Sequence, residues 1–503
     1  MRSVNFRIRW LGYLFAVVLS SCASPTNHPV DETPTLQEIT PIPAEEETIP
    51  TKIFFTPTSD TPQPTPAPFI LPTYTIHAVY DATQMKVSVN QLIQFTHLFH
   101  QPLNKIFLIV EPNRFLNGFV LNRLEDQITG RKLEWELQQN WLQIQLDEPM
   151  SFQQSISIVA EYTLQLPEIP PPSETRKPQI YGYTQRQTNL VDWYLWLPPF
   201  DEETGWVIHP PSFFGEYTVY PLADFEVYFD VVNSPRQVVV AASSSPVVEG
   251  QNHWEYRFTG ARNFAISISA DFEVNKIEVD GVKISHYFFP LYRHQGEVVL
   301  NHTIQAFQLY SELFGELPRQ SISVVQADFL DGMEFDGLFF LSKGFYDLYD
   351  GTDQGYLTLI TVHETAHQWW YAVVANDQAQ HPWLDEALCT YSERLYYERY
   401  LPELVDWWWF YRVNFYQPEG VIDLPVYEYT GYLAYRDAVY LRGAEFLEEF
   451  RNALGDVSFF EGLARYYDKN TGRIAAPRDF FAAFNLTEEE IRGNFNSFFG
   501  SIP

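Results

Sequence analysis

The sequence predicts a multidomain α+β protein, and three observations carry that prediction. Short runs of alternating or β-branched apolar residues recur from 73 to 275. From 276 to 455 strand-like and helical runs are mixed, and from 456 to 503 the pattern is helical. Hydrophobic content is 46%, with 17% aromatic residues, far above that of a chain unable to fold. The roughly 430 residues after position 72 can therefore bury large cores, and such a length divides into two or three domains.

The N-terminal elements come first. Arg2, Arg7 and Arg9 precede an apolar run from Leu11 to Leu19, too short for a stable bilayer span and shaped like a secretory signal. It ends in Leu19-Ser20-Ser21-Cys22, which resembles the bacterial lipobox. That likeness implies cleavage within 1–22, lipidation of Cys22 and an extracytoplasmic protein anchored to the bacterial cell membrane. A plain secretory signal or an uncleaved anchor are the other readings. Acyl chains contribute about 0.8 kcal/mol per buried methylene, so more than one would hold the chain at a membrane. Residues 23–72 are dense in proline, threonine and acidic residues, as in Thr56-Pro57, Thr61-Pro62 and Thr65-Pro66. They read as an extended tether that holds the folded body away from the anchor. With Cys22 modified, Cys389 has no partner for an intrachain disulfide, and it reads as a small buried helix residue.

Residues 73–275 form the β-rich domain. Its runs are Lys105 to Val110, Trp141 to Leu146, Ile156 to Leu166, Phe225 to Val232, Gln237 to Ala242 and Phe264 to Val274, with proline-rich breaks at Pro167 to Pro172 and at Pro198-Pro199. From 276 to 455 a helix is expected over Glu297 to Phe314 and strands over Ile322 to Gln326 and Leu338 to Leu341. Helices dominate from Glu386 onward: Tyr440 to Leu454, Phe459 to Tyr467 and Glu488 to Phe499.

The chemistry sits in His363-Glu364-Thr365-Ala366-His367, followed after eighteen residues by Glu386 in Trp383-Leu384-Asp385-Glu386-Ala387. Two histidines four apart on a helix share a face and can grip one metal ion. A distant glutamate then completes three protein ligands and leaves a position open, the arrangement of a hydrolytic zinc. The expected ligands are His363, His367 and Glu386, holding one Zn2+ per chain, with Glu364 placed to take a proton from the bound water. Leu357, Leu359 and Ile360 before the motif and Trp369, Trp370, Val373 and Val374 after it read as one core helix. Histidines and glutamates buried there without a partner would be costly.

These residues, with Gln368-Trp369-Trp370 after the motif, resemble the zinc signature of the gluzincin aminopeptidases, the family of aminopeptidase N and leukotriene hydrolase. Two further segments match in order. Asp331-Gly332-Met333-Glu334-Phe335-Asp336-Gly337 resembles the family's glycine-x-methionine-glutamate-asparagine strand, and Tyr440-Leu441-Arg442-Gly443-Ala444 its tyrosine-x-lysine-glycine-alanine segment. The likeness is specific over 330 to 445 and looser from about 73 to the end. It implies a saddle-like β domain over 73–275, a thermolysin-like zinc peptidase domain over 276–455 and a short helical C-terminal region over 456–503.

The same resemblance implies that Glu364 is the general base, that Tyr440 hydrogen-bonds the oxyanion and that Glu334 binds the substrate α-amino group. The last is a charge-assisted contact, poorly screened near the metal. Three departures stand out: Asp331 replaces the usual glycine, Phe335 the asparagine and Arg442 the lysine. An amine-binding glutamine is usual in the N-terminal domain, and Gln185 and Gln187 are candidates by location only.

The expected activity is release of N-terminal residues from peptides. An endopeptidase of the same zinc type, or a non-catalytic tethered peptide-binding protein, are the alternatives. The C-terminal part leaves no room for a long helical superstructure, so the cleft is expected to be open. Trp407-Trp408-Trp409 could line it, though packing is the simpler reading. With 32 basic against 64 acidic residues the net charge is −32, which argues against a nucleic-acid partner. Nothing in the sequence fixes an oligomeric state.

Overall fold

In the computed structural model residues 70–171, 178–329 and 331–500 are described. Cys22, the signal segment and the tether up to residue 69 lie outside them. Residues 70–500 fall in one compact unit. Among the described residues no helix is long and apolar enough to cross a membrane.

A seven-stranded sheet organises the N-terminal region, in the order Pro246–Glu249, His253–Ala261, Ala223–Val232, Thr73–Asp81, Lys86–Thr96, Ser155–Gln165 and Phe119–Asp126. Strict alternation makes one face apolar: Tyr74, Ile76, Ala78 and Tyr80 are buried while their neighbours are not. Several of these strands lay beyond the expected runs, because polar residues such as Asn90, Gln91 and Gln94 interrupt the apolar alternation in the middle of the sheet. The run Phe264 to Val274 is two elements. Ile266–Ser269 joins a four-stranded sheet, while Glu273–Val279 starts the next domain's sheet.

That second sheet has five strands, ordered Glu273–Val279, Val282–Phe288, Ser321–Ala327, Leu338–Ser342 and Gly332–Phe335. Ser321–Ala327 is buried at every position, as a central strand covered on both faces must be. The segment from Met333 to Leu341 is an antiparallel hairpin turning at Asp336-Gly337, where Gly337 has φ +73. Asp336 locks the turn: its carboxylate accepts from the Arg262 backbone N at 2.8 Å and from Arg319 Nε at 2.6 Å. The edge strand Gly332–Phe335 is thereby held in register, pairing Glu334 with Phe339.

Three helices pack around this edge. Arg293–Leu313 lies against Tyr356–Ala366, which in turn packs on Trp383–Tyr400. The helix bearing the histidine motif ends at Ala366, with His367 at its C-cap, so the apolar residues to Val374 do not extend it. The backbone turns sharply there, with Tyr371 at φ 144, and returns through the short strand Ala375–Asn376. Residues 456–500 are built into the same body: Ala375–Asn376 pairs with Ile474–Ala475, and Tyr467 OH donates to the Glu316 carbonyl at 2.7 Å. The last helix is Glu488–Asn494, shorter than its apolar pattern suggested.

Candidate metal centre

The helix Tyr356–Ala366 presents His363 one turn before His367, and the helix Trp383–Tyr400 crosses it with Glu386 in its first turn. Three donor atoms converge. His363 Nε2 and His367 Nε2 are 3.2 Å apart, His363 Nε2 and Glu386 Oε2 3.3 Å, and His367 Nε2 and Glu386 Oε2 3.5 Å. All three residues are buried. A triangle of that size lets one ion sit at about 2.0–2.2 Å from every corner, the spacing of zinc with imidazole and carboxylate. The donors are the types zinc prefers, and two imidazole nitrogens facing each other at van der Waals range gain from a shared cation.

The outer atoms of the histidines are fixed by further partners. His363 Nδ1 lies 2.8 Å from Glu393 Oε1, and His367 Nδ1 lies 3.2 Å from the Trp370 carbonyl. Glu393 is fully buried and is clamped by Arg412, with Nε and Nη2 each at 2.8 Å, and by Trp408 Nε1 at 3.2 Å. Burial opposes its charge, but Arg412 overrides that and holds the carboxyl below the usual range. Sequence reasoning missed Glu393 and Arg412, and it read Trp408 only as packing or cleft lining. The first was findable, because Glu393 follows Glu386 by seven residues and so faces the same side two turns on.

Glu364 is buried, and its Oε2 has no hydrogen-bond partner among the described residues. A buried carboxylate oxygen left open beside a donor triangle is what a base awaiting a proton requires. Burial, with Glu334 and Glu386 nearby, pushes its carboxyl well up. The space around it is tight: a Cβ on Gly332 would fall 2.2 Å from Glu364 Oε1. Gly332, on the strand carrying Glu334, is thus the residue that lets that strand approach the motif helix.

Glu334 is 5% exposed, and burial, reinforced by Glu216 and Glu386, pushes its carboxyl up to about 7. Gln378 Nε2 donates to its Oε1 at 3.3 Å and to Asp385 Oδ2 at 2.8 Å. Tyr440 OH donates to Glu386 Oε1 at 2.5 Å, and its ring stacks 6.0 Å from His363. It lies on a π-helical turn, Asp437–Arg442, pressed against the Glu386 helix. A Cβ on Gly443 would come 2.4 Å from Ala387 Cβ, so the glycine permits the approach.

Other sequence candidates lie elsewhere. Arg442 spans to the Ser497 carbonyl at 2.7 Å and to Glu445 at 3.0 Å, a tie to the C-terminal segment. Phe335 is buried against Phe340. Trp408 is buried and bonded to Glu393, while Trp407 packs on Tyr397. Gln185 is exposed, and the Gln187 amide is engaged by Ser267, Gln326 and Asp328. Cys389 is buried, with its thiol directed at the Trp370 carbonyl. Glu216, absent from the sequence candidates, offers a carboxylate oxygen within 4.8 Å of those of Glu334 and Glu386.

A β-rich N-terminal region is joined to an α+β body in which two histidines and one glutamate converge from two helices as the donor set of a three-ligand metal centre. Residues 298–499 match the Peptidase family M1 domain. It is similar to human endoplasmic reticulum aminopeptidase 1, at 26% identity over 261 residues, 47% of this chain and 28% of that protein. Rice aminopeptidase M1-A is 24% identical over 284 residues, 52% of this chain and 32% of the relative. The chain thus spans about a third or less of those relatives' length. In fold it is similar to the M1 zinc metallopeptidase of Deinococcus radiodurans, with TM-score 0.59 and 17% identity over 86% of this chain and 94% of that one.

Proposed function

We propose that this chain is a zinc aminopeptidase acting on peptides outside the cytoplasm. The observation that carries the reading is the donor triangle of His363, His367 and Glu386 with the open Glu364 carboxylate and the buried Glu334 beside it. Zinc held by those donors would supply Lewis acidity toward a peptide carbonyl and acidify a neighbouring water.

The chain's own residues do the rest. Glu364, raised by burial, accepts a proton at its unpartnered oxygen and later returns it to the leaving amine. Tyr440 turns its hydroxyl from Glu386 toward the oxygen that gains charge. Glu334 receives the substrate's α-ammonium, which fixes the first peptide bond over the donor triangle. Gly332 keeps the Glu334 strand and Glu364 close enough for both tasks. The similarity to aminopeptidases over the catalytic region supports exopeptidase action.

The anchoring is part of the proposal. Arg2, Arg7, Arg9, the apolar run and Cys22 support a lipoprotein whose tether over 23–72 displays the body at the membrane. Radiolabelled palmitate should appear in the wild-type protein and not in Cys22→Ser; label in both would refute this part.

The activity is tested by comparing a free-amine peptide with its N-acetylated twin, each with and without chelator. Cleavage of the first alone, abolished by chelator, is expected. Equal cleavage of both would mean endopeptidase action, and cleavage of neither a binding protein.

A further inference from the structure

The strand Gly332–Phe335, which carries Glu334, hangs between two anchored carboxylates. The one after it is Asp336. Besides the Arg262 backbone N and Arg319 Nε, that side chain accepts from Arg319 Nη2 at 2.7 Å, and the Asp336 backbone N donates to Asn263 Oδ1 at 3.0 Å. The one before it is Asp328. Its Oδ2 accepts from Arg186 Nε at 2.8 Å and from Thr184 Oγ1 at 3.1 Å, and its Oδ1 accepts from Arg186 Nη2 at 2.5 Å. Its backbone N donates to Gln187 Oε1 at 2.9 Å. Both anchors lead back to one piece of the β-rich domain. Gln187 and Asn263 stand shortly before Thr188–Leu190 and Ile266–Ser269, which pair with each other in the four-stranded sheet.

The two ends differ. The Asp336 and Arg319 side chains are 0% and 6% exposed, whereas those of Asp328 and Arg186 are 16% and 29% exposed. Arg186 is nevertheless fixed, because its Cζ lies 3.5 Å from the centre of the Phe289 ring while its fork grips both Asp328 oxygens. Between this anchor and the strand, Asp331 has φ 93, a left-handed backbone that side chains avoid. Such a conformation persists only where the contacts around it hold it. There is no slack beyond it either: a Cβ on Gly332 would already fall 2.2 Å from Glu364 Oε1. A retreat at Asp328 is therefore passed on to Gly332 and Glu334.

We propose that Arg186 is a positioning residue for the substrate α-ammonium: through Asp328 it sets, from the β-rich domain, where Glu334 stands relative to the donor triangle. This rests on the reading of Glu334 as the amine carboxylate and adds the residue that aims it. Arg186 acts through Asp328 and the strand, not on the substrate. Loss of the pair frees the start of the strand but leaves the metal donors and Glu364, which come from the two helices. The effect falls on amine binding rather than on proton transfer. Misplacing a bound group by about 1 Å can cost about 10²-fold, so a partial release is enough to be measured.

The test uses the zinc-loaded full chain with a free-amine peptide and its N-acetylated twin. Arg186→Met should raise KM for the free-amine peptide about tenfold, with kcat changed less than about threefold and zinc content unchanged. Arg186→Lys, which keeps the charge, should recover part of that loss. Because Arg186 acts through Glu334, adding Arg186→Met to Glu334→Gln should raise KM no further. A KM for Arg186→Met within about twofold of wild type, a fall in kcat alone, or full additivity in the double variant would overturn the assignment. Should Arg186→Met fail to fold, Asp328→Asn keeps the side-chain size, removes the charge and is read in the same way. Equal cleavage of both peptides by wild type is a different failure, that of the aminopeptidase reading itself, and it takes this assignment with it.

Discussion

At the scale of single residues the site depends on groups that are buried and closely fitted. Glu364→Gln removes the proton acceptor but not a donor of the triangle. Its activity should fall about 10²- to 10⁴-fold with zinc content intact, as read by peptide hydrolysis beside metal analysis. Gly332→Ala would place a methyl 2.2 Å from Glu364 Oε1, so the strand or the carboxylate must shift. Its expected signature is a large loss of kcat with zinc retained. Full activity in that variant would mean that the close approach has no role. A residue far from this centre sets part of the acid sensitivity. His286 Nδ1 lies 3.0 Å from the Gly296 carbonyl and its Nε2 2.7 Å from Tyr346 OH, and burial pushes its pKa down to about 3 from the ordinary 6.5. Between those values the unfolded chain binds a proton that the folded chain refuses. This contribution to stability is therefore complete above pH 6.5 and is lost at about 1.4 kcal/mol per unit as pH falls toward 3. Urea unfolding at pH 7.5 and 5.5 should show a smaller pH difference for His286→Asn than for wild type.

At the scale of elements, the helix Trp383–Tyr400 does two jobs from one face: its first turn supplies Glu386 and its third supplies Glu393. Substituting Glu393→Gln or Arg412→Met should weaken zinc retention about 10- to 100-fold, measured by chelator competition, since outer partners fix ring orientation and ligand basicity. Unchanged affinity in both would mean His363 is oriented by its helix alone. The convergence of His363, His367 and Glu386 was legible because a four-residue histidine spacing and a glutamate opening a helix are local patterns. Glu216 was not, since nothing near Gly215-Glu216 in sequence signals a long-range approach to Tyr435 and Glu334. Helix ends were the least legible. Trp369, Trp370 and Val373 are apolar because they pack as a buried turn, and burial has the same sequence signature there as in a helix.

At the scale of the whole molecule, the C-terminal segment supports the metal centre from behind. Trp383, the first residue of the Glu386 helix, is fully buried and ringed by Phe446, Phe480, Phe481 and Phe499 at 5.3–6.1 Å. Phe480→Ala should cost about 3–5 kcal/mol and lower zinc retention with it, whereas stability loss without metal loss would separate the two roles. Arg262 ties three regions together, donating to the carbonyls of Tyr220, Ala372, Val373 and Arg473. Loss of that guanidinium in Arg262→Met would leave buried carbonyls unpaired and cost on the order of 3 kcal/mol in thermal unfolding. The α+β order along the chain could be read from periodicity. The seams could not, because Arg262 and Trp383 each belong chemically to neighbours distant in sequence.

All of these effects depend on whether two imidazoles and a remote carboxylate hold a divalent ion. Metal analysis of the purified chain should find about one zinc per molecule, and Glu386→Ala, still folded by circular dichroism, should lose most of it on dialysis. A wild-type chain without zinc, or a Glu386→Ala variant that keeps it as tightly, would contradict the account.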